Sequence, residues 1–194
     1  MAQGIRKTSK KREQPEGGTH MARLVGITDL GEQPSFVYQG KEIASQFKRE
    51  FTYELVNAHM SDGRPFHVSE EVKESDFEGK GITSTMMARV RKLDPSNESN
   101  NGSDLKALLG KPCMVTVSIN DSGYPKVSGQ AAVTGVPMGM EVAELQNEAY
   151  FFDMDEPDMD LFFKFPEFKQ DKIKAALNLN ETKLAQELAN EDQY

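Results

Sequence analysis

Cysteine occurs once in the 194 residues and histidine three times, and no apolar run reaches the roughly 20 residues needed to cross a bilayer. Each scarcity removes a class of function. The lone Cys113 cannot close an internal disulfide, and its place in the alternation Cys113, Val115, Val117, Ile119 predicts a buried strand residue, not a nucleophile. His20, His59 and His67 lie far apart in sequence and no Cys/His pair has zinc spacing, so no structural metal is expected. The first residues are basic with no apolar segment behind them, which predicts neither a membrane span nor a secretory signal.

Catalytic signatures are equally sparse. Glycine precedes lysine at Gly40-Lys41, Gly79-Lys80 and Gly110-Lys111, but none combines the upstream Gly and following Ser/Thr of a phosphate-cradling loop. No serine has the flanking glycines of a nucleophile elbow. The run Asp153 to Asp160 matches a calcium loop at two positions only, since Pro157 takes the place of a ligand and Asp158 that of the required Gly; a solvated acidic linker is expected. Catalytic residues, metals and cofactors are therefore not predicted.

What the chain has in quantity is charge, unevenly spread. The total is −8, yet residues 1–20 carry five Lys/Arg against two Glu, residues 21–140 are nearly balanced, and residues 141–194 carry five Lys/Arg against 14 Asp/Glu. Arg6, Lys7, Lys10, Lys11 and Arg12 sit among Gly and Pro with almost no large apolar residue, which predicts a disordered basic arm over 1–20. The His20-Met21 junction also fits an internal start, in which case the arm's charge has no functional meaning.

From Met21 the pattern turns to strands. Residues 21–29 predict a first strand and Ser45 to Ala58 a long second one, with Phe47, Phe51, Tyr53 and Leu55 on one face. The turn Ser61-Asp62-Gly63-Arg64 leads to a third, with Phe66, Val68 and Val72 at even positions. Met86, Val90 and Leu93 then recur at helical spacing behind Thr83 or Ser84 as caps, and Asp94-Pro95 stops the run. A short helix over 103–109 ends at Gly110, a fourth strand runs Pro112 to Ile119, and a fifth runs Lys126 to Val136 after a turn at Asn120 to Gly123. Five strands with a helix between the third and fourth are the element order of an OB-like barrel, expected over 21–140. An acidic, aromatic segment over 141–180 needs a docking surface on that barrel. Pro166 opens a helix there with Phe168, Ile173, Ala176 and Leu177 as its apolar face, and a weak helix near Glu181 to Ala189 lies within the acidic tail, 181–194.

Aromatic and basic residues mix along the expected barrel, and single-stranded nucleic acid calls for that mixture: bases stack on rings while Lys and Arg follow phosphates. Phe47, Phe51 and Leu55 share a core-like face. The candidate contacts are therefore Phe36, Tyr38, Lys41, Lys48, Arg49, Arg64, Tyr124 and Lys126, most of them in the loops that OB-folds use to grip ligand. Met86, Met87, Arg89, Arg91 and Lys92 read as an amphipathic helix plugging the barrel end. The acidic end is either solubilising or a polyanion that competes for the basic groove and docks partners through Glu191, Asp192 and Tyr194.

Four stretches, Ala22-Arg23-Leu24-Val25-Gly26-Ile27 with Asp29-Leu30-Gly31, Val68-Ser69-Glu70-Glu71, Leu108-Leu109-Gly110-Lys111-Pro112-Cys113, and Val136-Pro137-Met138-Gly139-Met140, resemble phage-encoded proteins of replication modules described as single-stranded-DNA-binding OB-fold proteins. The resemblance implies a non-catalytic protein that coats single-stranded DNA in replication or recombination, in the cytoplasm of an infected bacterium, with replication proteins as further partners. Two rivals stay open: a structural or partner-docking phage protein, and an acidic accessory protein that mimics DNA.

Overall fold

A computed structural model describes residues 13–74, 85–133 and 142–191. The predicted caps Thr83 and Ser84, the end of the fifth predicted strand with Val136 to Met140, most of the basic arm, and Asp192 and Tyr194 lie outside those residues. The protein is mainly β with helices at its C-terminal end. Among the described residues eight strands form: β1 (Gly18–Gln33), β2 (Phe36–Tyr38), β3 (Lys41–Ile43), β4 (Gln46–His59), β5 (Pro65–Lys73), β6 (Pro112–Ile119), β7 (Pro125–Ala132) and β8 (Tyr150–Phe152). The same residues hold four α-helices: α1 (Thr85–Leu93), α2 (Met159–Lys164), α3 (Glu167–Lys174) and α4 (Lys183–Glu191).

The main sheet runs β5-β4-β1-β6-β7, antiparallel throughout, so the five predicted strands correspond to β1, β4, β5, β6 and β7. Its length makes β1 the organiser. Residues 18–23 pair with β6, residues 22–33 with β4, and β8 takes the edge that β6 vacates, parallel to β1 with Gly26 opposite Tyr150. The hydrogen-bonded sheet is not closed into a barrel: β5 and β7 are its edges, although their Cα atoms come within 8 Å. Helix α1 packs against β5, β6 and β7 at that seam, burying Met86, Met87, Val90 and Leu93. Arg89 turns inward as a bidentate donor to Glu70 (3.0 and 2.8 Å), which also accepts from the Tyr53 hydroxyl at 2.8 Å. The amphipathic helix expected over these residues thus packs on the sheet through its apolar face and Arg89, while Arg91 stays exposed.

One core lies inside the curved sheet, where odd-numbered residues of β4 (Phe51, Tyr53, Leu55) meet Ala22, Leu24, Val68, Cys113 and Val115. Cys113 is fully buried, and burial pushes its thiol up to about 12, which leaves it unreactive at neutral pH. Phe47 departs from the expected face: it is exposed, because it precedes the part of β4 that the core covers. A second core is built by the C-terminal segment, with Leu30 of β1, Phe152, Met154, Phe162, Phe165, Ile173, Ala176 and Leu184. Helix α4 therefore docks through Leu184, and packed structure extends well into the stretch that composition marks as an acidic tail. Leu184→Ala is expected to cost about 2 to 4 kcal/mol, read as a lowered midpoint in urea unfolding; an unmoved midpoint would show that α4 is not anchored.

Candidate nucleic-acid interface

Strand alternation gives β4 and β5 a second, outward face. Lys48 lies opposite Lys73, Glu50 opposite Glu71, Thr52 opposite Ser69, and Glu54 opposite His67. The C-terminal segment covers the far end of this face. Tyr150 lies over Gly26 and donates to Thr52 Oγ1 at 3.2 Å, while Glu54, fully buried, accepts from Gln146 N (2.6 Å), Asn147 N (3.2 Å) and Asn147 Nδ2 (2.7 Å). His67 Nε2 lies 3.3 Å from the same carboxylate. Burial works to raise Glu54, but this fan of donors outweighs it and holds the carboxyl below its usual range.

The predicted contacts divide into separate groups. Phe36, Tyr38 and Lys41 come together on β2–β3, a hairpin whose turn residues Gln39 (φ 49°) and Gly40 (φ 75°) both adopt the left-handed conformation of a type I′ turn. Beside its polar tip, β2 holds apolar side chains open to solvent, with Val37 73% and Tyr38 60% exposed. Lys48 joins this group, its Nζ 5.4 Å from the centre of the Phe36 ring. Tyr124 and Lys126 stand elsewhere, at the β6–β7 turn, with the Tyr124 ring 63% exposed. Arg64 belongs to neither group; it folds back on Asp62 of its own turn at 2.6 Å.

Ion pairing decides which cations are available. Lys48 meets Glu71 at 3.2 Å, Lys172 bonds the same carboxylate, and Arg49 is held between Glu74 and Asp29 (3.8 Å). Arg49 is thereby drawn into the structure and away from a ligand. Of the predicted contacts, Lys41 and Lys126 have no ion-pair partner among the described residues; Lys164 has none either, nor do several cations on other surfaces, Arg91 and Lys92 among them. Glu191 is the exposed end of α4.

A groove of about 660 Å³ crosses the outward face. It is lined by Glu50 and Thr52 of β4, His67 and Ser69 of β5, the Tyr124-Pro125 turn, residues 13–15, and Lys164, Phe165, Phe168 and Lys169 of α2, α3 and the turn between them. Two of these positions reverse the apolar face expected of α3. Phe168, predicted to face the core, is 69% exposed, whereas Lys169 is buried, bonded to Glu50 with its Nζ 4.7 Å from the Phe165 ring centre. A carboxylate and a ring face compensate the buried ammonium, so the helix turns its lysine inward. Leu177, also predicted in the core, is exposed as well, since only Ile173 and Ala176 reach the second core. Phe168 and Lys164 are not among the predicted contacts, and no local periodicity marks them. No metal-binding group of three or more His, Cys, Asp or Glu occurs among the described residues, and no helix among them is long and apolar enough to cross a membrane. No family model, curated protein or solved structure matches this chain.

Proposed function

We propose that this protein is a non-catalytic single-stranded-DNA-binding protein of phage replication or recombination, built on an OB-like scaffold and acting in the cytoplasm of the infected bacterium. The strand order, the long β1 shared between β4 and β6, and α1 between β5 and β6 support the OB-like reading, with the β5–β7 seam spanned by a helix in place of a closing ladder. The observation that carries the function is the placement of exposed rings: Phe36 and Tyr38 on the β2–β3 hairpin and Tyr124 at the β6–β7 turn, the two loops that flank the ligand face of an OB-fold. Rings so placed would stack on bases, while Lys41, Lys126 and the cations of residues 1–12 would neutralise phosphates. Partner docking through Glu191, Asp192 and Tyr194 belongs to the same proposal.

Mobility shift with single-stranded and duplex oligonucleotides tests it. Single-strand preference at low salt is expected, with Tyr38→Ala and Tyr124→Ala each weakening affinity roughly five- to hundredfold. Removal of residues 2–12 should flatten the salt dependence by about 0.7 in logarithmic slope per cation that contacts a phosphate. Equal binding of single strands and duplex, or none, would overturn the reading. The rival of a partner-docking protein is favoured by the pairing of Lys48, Arg49, Lys169 and Lys172 with carboxylates; it predicts capture of a protein partner with no nucleic acid present.

A further inference from the structure

We infer that the groove between the outward β4–β5 face and helices α2 and α3 seats a short stretch of single-stranded DNA, with Tyr124 and Phe168 as its base-stacking rings and Lys164 as its phosphate contact. This rests on the single-stranded-DNA reading above and adds to it a path that leaves the β2–β3 hairpin and runs beneath the C-terminal helices. The groove's volume, about 660 Å³, lies in the range of sites that enclose small ligands. Its chemistry is that of a nucleotide site. Two solvent-exposed rings from different elements, Tyr124 (63%) and Phe168 (69%), line one cavity, where isolated surface aromatics would be scattered.

The groove's two lysines balance its two carboxylates, so ring stacking and not net charge is its main attraction for a single strand. Both of its carboxylates are already engaged: Glu13 accepts from Ser61 N (2.7 Å) and Ser61 Oγ, and Glu50 is paired with Lys169. Lys164 is the one lysine of the groove without an ion-pair partner among the described residues and offers a phosphate contact, while Glu13, bonded to the neutral Ser61, keeps its own negative charge on the groove wall. On β5 the exposed Ser69 hydroxyl can donate to base edges or phosphate oxygens without sequence preference, whereas Thr52 is buried and already bonded to Ser69 and Tyr150.

Tryptophan is absent from the chain, so Phe168→Trp places a single indole in the groove, excited selectively over the tyrosines, at a position exposed enough not to disturb folding. Titration with a fluorescently labelled oligothymidylate should quench that emission with the same midpoint as the rise in the oligonucleotide's anisotropy. Phe168→Ala should weaken binding roughly five- to hundredfold, and Lys164→Gln should lower the salt slope by about 0.7. Phe163→Ala, exposed on α2 but outside the groove, should bind as the parent does. If the oligonucleotide binds yet the indole emission of Phe168→Trp is unchanged and Phe168→Ala binds normally, the groove assignment fails and the proposed function survives. Equal weakening by Phe163→Ala and Phe168→Ala would also defeat it, as general apolar adhesion. Absence of any oligonucleotide binding by the parent protein overturns both.

Discussion

Gly26→Ala is expected to destabilise the protein by about 3 kcal/mol or more, although it adds one methyl group to a central strand. A Cβ at Gly26 would lie 2.1 Å from Tyr150 Cζ and 2.5 Å from its Cε1 and hydroxyl oxygen, well inside van der Waals contact. The ring cannot shift without loss, because it packs against Phe165 at 5.8 Å and bonds Thr52, and its own backbone is paired to β1. The clash therefore acts on the junction between the sheet and the second core. Urea unfolding of Gly26→Ala, of Tyr150→Ala and of the double variant forms the test. The glycine substitution should cost much less once the ring is gone, and a cost that stays the same in both backgrounds would remove the proposed cause.

Glu54→Ala should cost about 2 to 4 kcal/mol, for a different reason. Removing the carboxylate strands the Gln146 and Asn147 donors that now converge on it, and frees the strap that carries the chain from residue 142 to β8. The same group makes stability depend on acid. Its folded-state pKa is depressed, so its contribution is fully present above the unfolded value of 4.5 and is lost as pH falls through the lower folded value. Asp94 acts in the same sense. It is buried, and although burial works to raise it, Ser99 N and Oγ (both 2.6 Å) with Ser96 Oγ hold it far below 3.8. Denaturant midpoints measured from about pH 6 down to about pH 3 should fall in the parent and fall less in Glu54→Gln, which is already weakened at neutral pH. Parallel curves for the two proteins would show that Glu54 is not a source of the acid sensitivity.

These two sites also mark where sequence reading stops. Alternation in β4 correctly places Phe51, Tyr53 and Leu55 inside, since a half-buried strand must write its apolar face at every second position. The same strand buries Thr52 and Glu54 on its other side, where nothing apolar signals cover. That cover arrives from residues about 90 positions later in the chain. The β2–β3 hairpin leaves no trace in the periodicity because three-residue strands are too short to show one, although Gly40 supplies the turn. In α3, one helical step separates Phe168 from Lys169, and hydrophobicity alone selects the wrong one.

Local composition and periodicity were sufficient for the strand succession, the turns at Gly63 and Gly123, the packing role of α1 and the inert Cys113, because each depends on neighbours within a few residues. Tertiary structure alone decided that β1 is shared by three partners, that the sheet stays open at β5 and β7, and that the C-terminal segment forms a wall over the outward face. It also decided which cations are consumed in ion pairs and which remain available. The physical reason is common to all of these: burial of a polar group and neutralisation of a charge depend on what another part of the chain brings within a few ångströms, and no short-range pattern records that partner.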